Sequence, residues 1–168
     1  VSEDGSESQR SGSGGTEDGE RRSMVLFLLG DTEFGLPLEA VVEVARTPPI
    51  TRVPSPPPNV CGILNLRGTL MTVLDGGSRL GGGPTMRRER VLILEAAPGE
   101  ERIALLVDSV TDLWEVGLGE MEEPPAEART GAGGDAVRGV VRRGRRVATL
   151  IEPGVVLAPL FHVETTGR

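Results

Sequence analysis

Apolar residues along this chain come in short runs broken by turn residues, without the long helical stripes of a bundle. The first run, Met24-Val25-Leu26-Phe27-Leu28-Leu29, is apolar at every position, the pattern of a strand buried on both faces. Gly30-Asp31-Thr32 is turn chemistry and Glu33-Phe34-Gly35-Leu36 then alternates, so the two runs predict a hairpin. Behind Pro37, the spacing of Leu38, Val41, Val42 and Ala45 predicts a short helix ending near Arg46. Pro48, Pro49, Pro54, Pro56, Pro57 and Pro58 then impose an extended or irregular crossing, because proline has no amide donor and restricts the residue before it.

Strand patterns resume at 60–66 and 69–74 around the turn Arg67-Gly68, a second hairpin. Residues 76–84 read as a glycine-rich loop around one helical turn, and 90–96 with 102–110 as a third strand pair. Residues 122–135 read as a long flexible loop. A last hairpin, 137–141 with 147–151, turns at Gly144, and 155–160 closes with a helical turn interrupted by Pro159. Short strands at regular spacing predict an all-β, barrel-type fold.

Composition changes abruptly at Met24. Residues 1–23 are Ser, Gly, Glu and Asp with a few Arg, and Val1 is their only aliphatic residue. Such a segment cannot offset a backbone ordering entropy of about 1–2 kcal/mol per residue, so it is expected to be a disordered acidic tail. The folded part is expected over 24–162, with 163–168 a flexible C-terminus. No apolar run approaches the roughly 18 residues of a membrane span, and no secretory pattern follows the N-terminus. The expectation is a cytoplasmic protein without direct membrane insertion.

Candidate chemistry is sparse. The chain has no Lys, one His (His162) and one Cys (Cys61), which excludes Schiff-base chemistry, a Walker A lysine and a disulfide framework, and leaves too few ligands for a Cys/His metal cage. A formal net charge of −7 argues against nucleic acid. Arg142, Arg143, Arg145 and Arg146 around Gly144 read as a solvated hairpin tip, and Gly81-Gly82-Gly83-Pro84-Thr85 as a loop lacking the phosphate-loop Lys. The pairs Glu100-Glu101 and Glu122-Glu123 lie in connections, where solvated charge is ordinary. Cys61 reads as a small packing residue, and Trp114 as either an interface anchor or a lid. No catalytic residue, metal, cofactor or small-molecule substrate is expected.

The informative stretch runs from Arg52 through the prolines into Val60-Cys61-Gly62-Ile63-Leu64-Asn65-Leu66-Arg67-Gly68-Thr69-Leu70-Met71-Thr72-Val73-Leu74-Asp75. Physically it is a rigid crossing that feeds a strand presenting Asn65 and Arg67 beside a glycine turn, with a guanidinium suited to carboxylates. It resembles the signature of the CheW family of bacterial chemosensory coupling proteins, in which a proline-containing crossing leads into Gly-x-x-Asn-x-Arg-Gly and a hydrophobic strand ending in Asp. The likeness extends from Met24 to about Leu160. It departs at Thr72, where Pro is common, at Gly76 for Leu, and at Ile151-Glu152 for Leu-Asp.

The resemblance implies two small five-stranded SH3-like β-barrel lobes, about 24–88 and 89–162, sharing one hydrophobic core with one or two short helices. It also implies a non-enzymatic adaptor that couples the cytoplasmic tip of a chemoreceptor to the regulatory domain of the histidine kinase CheA. By matching position, Glu43, Val44, Asn65, Arg67 and Val110 are candidates for the receptor side, and Val41, Val60, Cys61 and Gly62 for the kinase side. Two other readings stand beside it. One is a paralogue that binds receptors but not the kinase; the other is a small enzyme, which a deep pocket lined by facing carboxylates would mark.

Overall fold

The computed structural model describes residues 19–161. The strands are β1 (Arg21–Leu29), β2 (Thr32–Pro37), β3 (Val41–Arg46), β4 (Ile50–Thr51), β5 (Val60–Leu66), β6 (Thr69–Asp75), β7 (Arg90–Leu94), β8 (Ile103–Val107), β9 (Ser109–Gly117), β10 (Met121–Glu122), β11 (Val137–Arg143) and β12 (Arg146–Ile151), with helices α1 (Ala126–Thr130) and α2 (Pro153–Phe161). They form two six-stranded sheets, ordered β10-β11-β12-β2-β1-β9 and β3-β7-β8-β6-β5-β4. The fold is all-β and two-lobed as expected, but with six strands a sheet rather than five. The extra strands are the two-residue β4 and β10; between Pro49 and Pro54 the amides of Ile50 and Thr51 remain free to pair with β5.

The first sheet takes both ends of the described chain and the second takes the middle, so the sheets do not divide at 88/89. The chain crosses to the second sheet at Leu38–Ala40, between β2 and β3, and returns at Asp108, where β8 of the second sheet gives way to β9 of the first. β9 then pairs with β1 from Arg21 opposite Gly117 to Leu28 opposite Ser109.

Apolar side chains collect in three clusters. Met24, Leu26, Trp114, Val116, Val141, Ala148 and Leu150 fill the first sheet, and Leu64, Met71, Val73, Val91, Ile93, Ala104 and Leu106 fill the second. Between the sheets lies the shared core, with Val25, Phe27, Leu29, Leu92, Leu94, Ile103, Leu105 and Val107 among its members. Alternate residues of β1, β7 and β8 therefore enter different clusters, which is why these runs are apolar throughout.

Three elements differ from expectation. Residues 41–46 form a strand paired with β7, not a helix; only Leu38–Ala40 makes a helical turn. Val41, Val42 and Val44 are β-branched, and strand pairing overrides their helical spacing. Residues 109–117 form the long strand β9, whose period Thr111, Asp112 and Glu115 interrupt in the sequence. The 122–135 loop contains β10's last residue and α1. The ordered chain also begins before Met24: β1 starts at Arg21, because Arg21, Arg22 and Ser23 pair through their backbones with Gly117, Val116 and Glu115. The expected disordered acidic tail over residues 1–18, the C-terminus 163–168 and His162 lie outside the described residues.

Helix α2 buries Val156 and Leu157 in the shared core. Pro159 has no N–H for the Val155 carbonyl, and the buried Arg79 supplies one instead, donating to Val155 O at 2.9 Å and to Val156 O at 3.1 Å. Arg79 also forks onto Asp135, with both contacts at 3.2 Å.

The crossing residue Asp108 is buried and accepts hydrogen bonds from the amides of Gly30 (2.7 Å) and Arg87 (2.6 Å). Burial pushes its pKa up, but these amide bonds outweigh it and hold the carboxyl below the ordinary aspartate range. A depressed folded pKa contributes stability that is present above about pH 4 and lost as pH falls through the folded value. Asp108→Asn is expected to lower the melting temperature at pH 7, and the gap between variant and parent to shrink between about pH 4 and pH 2 in thermal melts. Separately, a chain beginning at Met24 should melt several degrees below one beginning at Gly19, since it loses three strand pairings.

Candidate docking site

The β5–β6 hairpin sets the site. Leu66 opposes Thr69, so Arg67-Gly68 is a two-residue turn, and both have positive φ, at 50° and 86°, as a type I′ turn requires. Asn65 Oδ1 accepts the Gly68 amide at 2.8 Å, clamping the turn. Arg67 holds its left-handed conformation without glycine's freedom, a backbone cost of roughly 1–2 kcal/mol. Its side chain is 69% exposed and pairs with the Glu43 carboxylate of β3. β3 and β5 lie far apart in the sheet order, so this pair joins parts of the second sheet that its curvature brings together.

Glu43, Asn65 and Arg67 thus share one surface. Val44 is the outward-facing neighbour of Glu43 on β3, and Ile63 and Leu70 are further exposed apolar residues of the hairpin. Val110 stands apart: it lies on β9 in the other sheet, opposite Phe27, and packs against the shared core.

The second candidate group also divides. Val41 opposes Leu94 and packs on the shared core. Cys61 occupies a β-bulge between Val60 and Gly62, packs against the second sheet's core and donates its thiol to Val73 O at 3.5 Å. Burial pushes the Cys61 pKa up and the charge of Asp75 adds to it, so the group is a thiol, not a nucleophile. Val60 and Gly62 line a groove of about 200 Å³ with Val53, Pro57, Ile63 and Ile103. Gly62 has φ 148°, and a β-carbon there would lie 2.2 Å from the Thr51 carbonyl oxygen. It is the point where the proline crossing, leaving β4, passes close beside β5.

A buried polar residue missed in the sequence is Asp75. Its Oδ1 accepts from the Ser78 amide (3.0 Å), the Thr85 amide (3.0 Å) and the Thr85 hydroxyl (2.6 Å), so it organises the glycine-rich loop after β6. The terminal Asp of the apolar strand was the available signal.

At the far sheet, Trp114 is neither an exposed anchor nor a lid. It is buried, with the Arg143 and Arg146 guanidiniums 4.7 and 4.8 Å from its ring centre. Arg146 also binds Glu33 and Asp112, each at 2.9 Å, and Arg143 binds Glu120 at 3.0 Å. Arg142, Arg143 and Arg146 are therefore paired with carboxylates rather than simply solvated, while Arg145 at the tip is exposed with no ion-pair partner among the described residues. A cleft of about 400 Å³ is rimmed by Glu39, Glu95 and Glu152. Glu95 is engaged by the Gly99 amide (2.5 Å) and Arg102 (3.5 Å), and Glu152 lies 3.9 Å from Arg138, an arrangement for holding charge, not for passing a proton between facing acids.

Residues 23–159 match the family model described as CheW-like domain. The chain belongs to the CheW family. It is 31% identical over 131 residues to a probable chemotaxis protein CheW of Rhizobium etli, covering 78% of this chain and 84% of that protein. It is 25% identical over 134 residues to the chemotaxis protein CheW of Bacillus subtilis, covering 80% and 85%. The crystal structure of the scaffolding protein TtCheW from Thermoanaerobacter tengcongensis superposes with a TM-score of 0.69 at 27% identity, covering 82% of this chain and 88% of that one. This CheW-family chain is a chemotaxis coupling adaptor, a scaffold and not an enzyme.

Gly62→Ala is expected to destabilise the fold by about 1–3 kcal/mol, because β4 must move off β5 to admit a methyl group. Denaturant unfolding with an unchanged midpoint would show that the crossing is slack.

Proposed function

We propose that the surface formed by Glu43, Asn65 and Arg67 meets the cytoplasmic tip of a chemoreceptor, while the groove at Val60 and Gly62 meets the regulatory domain of the histidine kinase CheA. The adaptor then acts in the cytoplasm, at membrane-associated or cytoplasmic chemosensory arrays, and supports control of the kinase's autophosphorylation. The observation that carries the receptor assignment is the conformation of Arg67. A type I′ turn favours Asn or Gly, yet an arginine sits there with most of its side chain in water. Its partner Glu43 is an exposed pair worth about 0–1 kcal/mol, too little to account for a left-handed arginine by stability alone. A planar guanidinium aimed outward suits a carboxylate on a partner. Exposed Val44 and Leu70 supply apolar surface on the same sheet.

The kinase assignment rests on the groove beside β5. Val60 and Ile63 offer apolar contact there, and Gly62 lets β4 pack close against β5 and so shapes the groove. Cys61 and Val41 face inward and contribute by shaping the strand.

Arg67→Gly separates side chain from backbone. The variant should fold with equal or greater stability, since glycine relieves the left-handed strain. Its affinity for a receptor-tip fragment should fall roughly 5- to 150-fold, equivalent to ~1–3 kcal/mol for a charged hydrogen bond. Arg67→Lys should restore part of it. Calorimetric titration beside a thermal melt decides the matter: unchanged affinity removes Arg67 from the receptor site. Titrating the same proteins with the CheA regulatory domain tests the second half, and absence of binding there would mark an adaptor that meets receptors alone.

A further inference from the structure

Arg142, Arg143 and Arg146 of the β11–β12 hairpin are held by carboxylates, with Arg145 in the turn unpaired among the described residues; at one end of the second sheet a whole group of arginines is unpaired. Arg46, Arg87, Arg88 and Arg90 have no ion-pair partner among the described residues. Arg46, the last residue of β3, stands directly opposite Arg90, the first of β7. Like charges so opposed on antiparallel strands destabilise the pair. The backbone nevertheless fixes them together: the Thr47 amide donates to Glu89 O at 3.3 Å, and the Arg87 amide is held by Asp108 at 2.6 Å. Arg46, Arg87 and Arg88 are exposed, and Glu89 is the lone carboxylate in the run 86–90. In a chain of net charge −7 this is a built concentration of positive charge without its counterion.

We propose that this patch is the docking site of the chain's own acidic N-terminal segment, residues 1–18, bound in cis. Residues 1–20 carry Glu3, Asp4, Glu7, Glu17, Asp18 and Glu20 against the single Arg10, a net −5 in a chain of net −7. The distances agree. Arg22 lines the same cleft as Glu95, Ala96 and Pro98, which places the start of β1 near the end of β7 remote from Arg90. β7 has five residues, a length of about 17 Å. From Ser8 to Gly19 the chain has a Ser/Gly-rich composition, for which twelve residues span about 17–21 Å root-mean-square. Effective concentration is greatest when linker length matches the span, so Glu3, Asp4 and Glu7 face the patch at about millimolar concentration. Individual exposed pairs are weak. The contact is therefore labile to salt and displaceable, and because Arg46 shares β3 with Glu43, a docked tail sets negative charge beside the proposed receptor surface. The docking itself does not depend on the receptor reading.

The test compares amide NMR spectra of the full chain, a chain beginning at Gly19, and the full chain carrying Glu3→Gln, Asp4→Asn and Glu7→Gln. Truncation should shift the amides of 46–47 and 87–91, the neutralised tail should reproduce the truncated spectrum, and about 0.5 M salt should bring all three together. Arg46→Gln with Arg88→Gln should abolish the difference between full and truncated chains. The proposal is overturned if those amides do not move on truncation, if the neutralised tail keeps the parent spectrum, or if the shifts grow with protein concentration, which would place the tail on a second copy.

Discussion

A strand that feeds two cores at once cannot slip by a residue, because the slip would exchange the contents of both. That constraint governs β1, β7 and β8. Along β8, Ile103, Leu105 and Val107 enter the shared core while Ala104 and Leu106 enter the second sheet's own; along β1, Val25 and Phe27 enter the shared core while Met24 and Leu26 enter the first sheet's. Registers fixed in this way determine where the peripheral elements begin. β9 and β2 must align on β1, and β3 on β7. The β5–β6 hairpin, two strands out from β8, is carried at a set height and orientation.

Much of this was legible in the chain. Continuous apolarity at 24–29 and 103–107 marked doubly buried strands, and Arg67-Gly68 between two apolar runs marked the turn that now anchors the site. What the sequence hid was non-local. β3 looked helical because Leu38, Val41, Val42 and Ala45 fit one helical face, and only its partner β7, some fifty residues away, makes it a strand. β9 lacked a clear period because Thr111, Asp112 and Glu115 interrupt it, yet its pairing with β1 makes the lobes discontinuous in sequence. Glu43 and Arg67 were both identifiable as candidate site residues by resemblance. Their mutual ion pair was not, since it depends on how far the second sheet curls.

Both sheets curl without backbone pairing between their outermost strands among the described residues, and side chains span the difference. The two closures are unlike. In the first sheet, Arg143 and Arg146 sandwich a buried Trp114 and bind Glu33, Asp112 and Glu120 across four strands and a turn. Cation–π contact, multiple carboxylates and burial make that closure cooperative and hard to exchange. In the second sheet a single exposed pair, Glu43 with Arg67, does the corresponding work. A solvated pair of small net worth can trade one partner for another at little cost, and a closure that can be traded is better suited to docking than one that cannot.

The shared core also limits how such an adaptor transmits a signal. Surfaces on the second sheet are joined through β7 and β8 to the same apolar cluster that holds the first, and a close-packed cluster does not deform continuously. On the proposed assignment, the two docking surfaces are therefore held at a constant separation. Coupling between two partners on a body of this kind must arise from differential affinity for their alternative states, with binding at each surface changing the other by the same factor. The switching element then lies in the receptor or the kinase, and what this chain contributes is the fixed geometry that lets a change in one be read as a change in fit by the other.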